Sequence, residues 1–206
     1  DDVGARYARP RIHRVLRKRG VPVAKFLPAL LPRTLTHFNL RNHCKILVAD
    51  GRIGFTGGMN IRQVCVLASN PKHPTKDLHF HVEGPVVSQL QRAFARDWAF
   101  TTGEKLDGSR WFPELQPCGD VLARGILDGP DREIDNLHVV FLAAITAARS
   151  SIRIMTPYFL PNQVLMESLH LAAQRGVEVD IIVPEVGNLP VVRWAMWSHY
   201  RRLLRR

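Results

Sequence analysis

The chain has 206 residues, 46% hydrophobic and 23% charged, the composition of a globular protein of one or two domains with a real core. Its net charge of +11 and pI near 10.4 are less ordinary, and arginines crowd both ends, suiting a polyanion such as an acidic lipid surface or nucleic acid, with solvated helix faces as the plainer account. Cys44, Cys65 and Cys118 argue against a disulfide framework or zinc site and fit a reducing compartment, and neither a membrane-spanning apolar run nor a signal-peptide pattern is present.

In chain order, residues 1–4 read as a strand end, 11–19 as a short basic helix closed by Gly20 and Pro22, and 21–26 as another strand. A loop with Pro28 and Pro32 follows. Alternation around Ile46 and Val48 predicts a strand, Asp50-Gly51 is the favoured pair for a two-residue hairpin turn, and 53–56 is the returning strand. Residues 61–68 are ambiguous and 69–76 form a polar loop. Residues 78–82 alternate as a strand, and 86–100 have helical spacing with Leu90, Phe94 and Trp98 on one face. The Gly- and Pro-rich stretch 101–117 carries the expected domain boundary, giving 1–105 and 106–206.

Beyond it, strands at 121–127, 152–157 and 177–183 alternate with helices at 134–149, 162–175 and 190–206, the order of a mostly parallel α/β sheet. Residues 129–131 read as a turn starting the first of these helices. The most apolar stretch, 139–148, suits a buried helix.

The segment 42–60 carries the chemistry. With Asp50 and Gly51 as the turn, Ala49 faces Arg52, Lys45 faces Thr56 and His43 faces Gly58. His43, Lys45, Thr56, Gly58 and Asn60 then share one side, while Cys44, Ile46 and Val48 turn to the core. Such a face suits a phosphoryl group: imidazole as nucleophile or proton donor, ammonium as counter-charge, amide as hydrogen-bond donor, and glycines that admit a bulky anion. Asp50, in the turn, lies about 20 Å from His43 along an extended strand and is read as structural. His79 and His81 share a strand face and are read as packing residues.

The run H-x-K-x4-D-x6-G-G-x-N from His43 to Asn60 resembles the first of the two HKD motifs of the phospholipase D superfamily. With 39–42, 77–85 and 155–161, it is most similar there to bacterial cardiolipin synthases. The resemblance implies an α/β phospholipase D-like fold of two duplicated halves. It implies phosphodiester exchange through a phosphohistidine, with a second histidine from the other motif protonating the leaving alkoxide. It assigns His43 and Lys45 to catalysis, with Asp50 as a structural motif member, and Lys45, Gly58 and Asn60 to the phosphate. His43 is either nucleophile or acid.

No metal or cofactor is expected. The substrate is an anionic phospholipid at a membrane surface, on the cytoplasmic face and peripheral, or else nucleic acid. Leu27, Leu30 and Leu31 pack the loop before the hairpin or rim an acyl-chain pocket, and Pro157, Tyr158 and Phe159 wall the pocket. A faint repeat, Asp2-Val3-Gly4-Ala5 against Glu185-Val186-Gly187-Asn188, agrees with duplication. On that reading 1–105 is the C-terminal part of a first half and 106–206 the N-terminal part of a second that stops before its own motif. The missing motif comes from further sequence or a partner chain, and the membrane segments usual at the start of cardiolipin synthases are absent. The other functional readings are a phospholipase D-type hydrolase and a non-catalytic remnant binding anionic surfaces.

Overall fold

The computed structural model describes residues 10–27, 42–72, 74–128, 135–185 and 190–204. The expected strand end at 1–4, the loop from 28, the turn at 129–131 and most of both repeat segments lie outside these. The chain forms two compact units, Asp1–Gly125 and Ile126–Arg206.

In the first unit, α1 (Ile12–Lys18) ends where Gly20 takes φ 73. An antiparallel sheet follows, ordered β1 (Ile46–Ala49), β2 (Ile53–Gly57), β3 (His79–Glu83), and α2 (Val86–Thr102) packs on it. Gly54 makes that packing possible. A Cβ there would stand 2.8 Å from a Leu90 methyl of α2 and 3.0 Å from Val82 of β3, so only glycine lets the helix close down. Phe94 and Trp98 stack one helical turn apart at 5.9 Å, on the face the spacing predicts. Gly103, at φ 79, ends α2 by donating its N–H to Ala99 O.

The hairpin register differs from the expected one. Asp50 (φ 53) and Gly51 (φ 66) are both left-handed and Arg52 N–H donates to Ala49 O, as a two-residue turn requires. The ladder nevertheless pairs Ala49 with Ile53, Val48 with Gly54 and Ile46 with Thr56. Arg52 is thus an extra turn residue, and a slip of one residue turns every β2 side chain to the other face. Thr56 consequently lies opposite Ile46, on the α2 side with Gly54, and not opposite Lys45.

Two expected strands are absent. Residues 21–26 and 121–127 are irregular, with Val121 and Leu122 fully or nearly exposed. Their alternation supplies apolar residues but no neighbouring edge to pair with. The segment after α2 instead packs on the first unit: Trp111 and Pro113 cover Gly51, Cys118 lies against Gly84, and Gly125 N–H donates to the Gln89 side chain at 2.7 Å. The compact units therefore divide after Gly125.

The second unit has α3 (Asn136–Ala147), β4 (Ser151–Met155), α4 (Gln163–Gln174), β5 (Glu178–Ile182) and α5 (Pro190–Leu204), with β4 and β5 parallel. Strand–helix–strand is the expected right arrangement for a parallel pair. Asn162 caps α4 by accepting the Leu165 N–H at 2.9 Å. Gly176 (φ 86) closes it, with its own N–H on Ala173 O and Val177 N–H on Ala172 O, a Schellman ending. The core gathers Ile145, Phe159, Met166, Leu169, Ala172, Val177 and Met196. Phe159 is thus a core residue, stacked on Tyr200 at 6.3 Å, and not a pocket wall. Helix α3 is likewise not the buried helix its composition suggests: only Ile145 is buried, and Val139 and Phe141 are at least half exposed. It is apolar all round, so one face meets α4 while the others stay bare.

Candidate functional site

The candidate site lies at the open end of the β1–β2 hairpin. Residues 42–45 run irregularly into β1, and two hydrogen bonds shape them. Asn42 Oδ1 accepts the Cys44 N–H at 3.0 Å, while its Nδ2 donates to the Asp97 carboxylate on α2. The residue before His43 is thereby pinned to the helix. His43 itself is exposed, and its carbonyl accepts from Lys45 Nζ at 2.7 Å, which folds the ammonium back over the histidine's backbone.

On the other strand, Gly58 N–H donates to Leu78 O at 3.0 Å, extending the β2–β3 ladder by one bond. A Cβ on Gly58 would collide with the Asp77 carboxylate. Asp77 also acts on Lys45: burial lowers the Lys45 pKa below its usual value, and Cys44 and Asp77 partly oppose that fall. His43, Lys45, Gly58 and Asp77 therefore form one neighbourhood, in which the Lys45 ammonium meets the His43 carbonyl and feels the Asp77 charge.

The remaining expected residues lie apart. Asp50 sits in the hairpin turn, at the far end of β1, as its spacing implies. Thr56 points towards α2. Asn60 is exposed beyond the end of β2, where its carbonyl accepts the Arg62 N–H. His79 and His81 do share a strand face, and His81 meets Phe55 across the ladder at 5.1 Å.

Asp77 is the residue that spacing does not find. Only the pairing of Gly57 with His79 brings it beside Gly58, and that register is not written in any local pattern. Two adjoining grooves of about 360 and 340 Å³ share Pro22, Ile46, Phe94 and Trp98, and the second is also lined by Asn42 and Cys44. The grooves lie between β1 and α2, on the side to which Cys44 and Ile46 turn, and neither is lined by His43 or Lys45. Burial and the Asp97 carboxylate raise the Cys44 thiol above its ordinary pKa, so Cys44 is a poor thiolate there. Among the described residues no three His, Cys, Asp or Glu side chains gather to hold a metal ion, and no helix is long and apolar enough to cross a membrane.

Comparison with known sequences bears on what an α/β chain with this hairpin is similar to. Residues 141–206 match the family described as "Cardiolipin synthase, PLD-like domain". Along 99% of its length the chain is 34% identical to cardiolipin synthase 2 of Staphylococcus epidermidis and to cardiolipin synthase of Staphylococcus aureus. It is 38% identical over 92% of its length to a cardiolipin synthase of Halalkalibacterium halodurans. Residues 141–206 thus resemble a phospholipase D-like domain, and the chain as a whole is similar to these cardiolipin synthases. It spans 42% of the length of the staphylococcal relatives and 38% of the third. No solved structure matches it significantly.

Proposed function

We propose that this chain is part of a phosphatidyltransferase of the cardiolipin synthase type, joining two phosphatidylglycerol-like lipids with release of the small alcohol. The observation that carries the reading is the likeness to cardiolipin synthases along 99% of the chain, which includes an exposed His43 whose carbonyl accepts from the Lys45 ammonium. One imidazole of a pair attacks phosphorus, and the bond from phosphorus to the head-group oxygen breaks. The other imidazole gives that oxygen its proton. A lipid hydroxyl then attacks the phosphohistidine, loses its proton to the second imidazole and displaces the first. His43 supplies one imidazole, and the second comes from an HKD motif in further sequence or a partner chain.

Lys45 neutralises phosphate oxygens, Gly58 keeps the backbone close enough for its neighbour Asp77 to fit beside it, and Asn60 donates to those oxygens. Asp77 favours the charged form of the ammonium, and Asp50 keeps the turn. The two units serve as pieces of two duplicated halves, and the protein works peripherally at the cytoplasmic face of a membrane. Likeness to cardiolipin synthases along 99% of the chain favours lipid over nucleic acid.

The test is a chimera in which these 206 residues replace the matching segment of a staphylococcal relative. Phosphatidylglycerol should give cardiolipin and glycerol by mass spectrometry, and His43→Ala should abolish both. Phosphatidic acid as the main product would favour a hydrolase instead. Lipid left intact while DNA is cut would overturn the reading.

A further inference from the structure

The outer face of α5 carries residues that the proposed chemistry leaves unused. Its inner side packs Val192, Met196, Tyr200 and Leu203 around the second unit's core. Opposite them, Trp194 is 61% and Trp197 52% exposed, and Leu204 is almost wholly so. Spacings of three and four residues put Trp194, Trp197, Arg201 and Leu204 on one stripe. The Arg193 guanidinium lies over the Trp197 ring at 5.4 Å. Residues 190–206 contain five arginines and no aspartate or glutamate.

We infer that this stripe is a docking surface for the head-group layer of an anionic bilayer. Indole rings are at their most favourable where one side is apolar and the other wet, which is the boundary between acyl chains and head groups. Arg201 on the same stripe meets lipid phosphates, and a helix already seated on its core by the opposite side can lie in the interface plane. Charge decides the occupant: a stripe that carries Arg201, in a segment of five arginines and no acidic residue, is complementary to a polyanionic surface. The inference rests on the phospholipid reading above and names the surface by which the chain meets its lipid.

The full chain is mixed with vesicles of equal phosphatidylglycerol and phosphatidylcholine, or of phosphatidylcholine alone, and sedimented. Binding should favour the anionic vesicles and weaken with salt. Trp194→Ala/Trp197→Ala should lose about tenfold in partitioning, and Arg201→Glu at least about fivefold, by the usual weight of one basic residue at such a surface. The charge reversal is exposed, so its effect does not depend on whether the double variant folds. Leu122→Ala, a fully exposed apolar residue in the other unit, should bind like the unaltered chain.

Brominated lipids should quench tryptophan in the unaltered chain and not in the double variant. Equal binding to both vesicle types, or binding indifferent to both sets of substitutions, overturns the inference. So does self-association that shields Trp194 and Trp197 without lipid, or preference for an oligonucleotide. In the chimera, turnover of detergent-dispersed lipid should ignore the α5 variants. Docking without any turnover would sink the transferase reading alone, and turnover without stripe-dependent docking would sink this one alone.

Discussion

Lys45 is held in two directions at once. Partial burial disfavours its charge while Asp77 favours it, and the net result is a depressed pKa. The unfolded chain therefore binds that proton more readily than the folded one. The penalty is full below the depressed folded value and vanishes as pH climbs from there to the ordinary 10.5. Stability should rise with pH across that window, and Lys45→Met should flatten the rise, as urea midpoints at successive pH values would reveal. The same substitution should cost the chimera most of its turnover. At Gly58, alanine would drive the Asp77 carboxylate aside; Lys45 would then lose a favourable charge, and its pKa, followed by NMR of the ammonium-bearing carbon, should fall further. Cys44 offers a third check at this scale. Asp97→Ala removes a charge that raises its thiol, so alkylation of Cys44 at mildly alkaline pH should speed up.

Among elements, the caps of α4 are the plainest stabilising devices. Asn162→Ala should cost about 1 kcal/mol and Gly176→Ala, forced into a left-handed conformation, about the same, both read from denaturant midpoints. Both ends were legible in the letters, because Asn before and Gly after a helical pattern have local causes. So were β1, β2, β3, α2 and the β4–α4–β5 unit, each within a residue or two. The hairpin register was not. Asp50-Gly51 does adopt the expected left-handed pair, yet Arg52 joins the turn because Gly54 has to face α2, a tertiary demand absent from the local pattern. The exposed stretch 121–127 and the bare faces of α3 have the same origin: composition reports what a segment would bury, and only its neighbours decide whether it does. The candidate site follows suit. His43, Lys45 and the distant Asp50 could be read from spacing, whereas Asp77 needed the β2–β3 pairing.

For the molecule as a whole, the proposed chemistry implies that the isolated chain should convert no phosphatidylglycerol, since its one HKD motif would supply one of the two imidazoles. Robust turnover abolished by His43→Ala would contradict that. The basic charge that composition announces is then useful at a surface before it is useful in chemistry. One detail of the first unit reaches beyond its own neighbourhood. A Cβ at Gly51 would stand 2.5 Å from Pro113 and 2.8 Å from the Trp111 carbonyl, so the tip of the hairpin is roofed by chain some sixty residues later. The Arg52 amide beneath that roof should exchange its proton with solvent only when residues 111–113 lift away. Its exchange rate becomes a gauge of how tightly the long return from α2 is fastened, and Gly51→Ala should loosen both together.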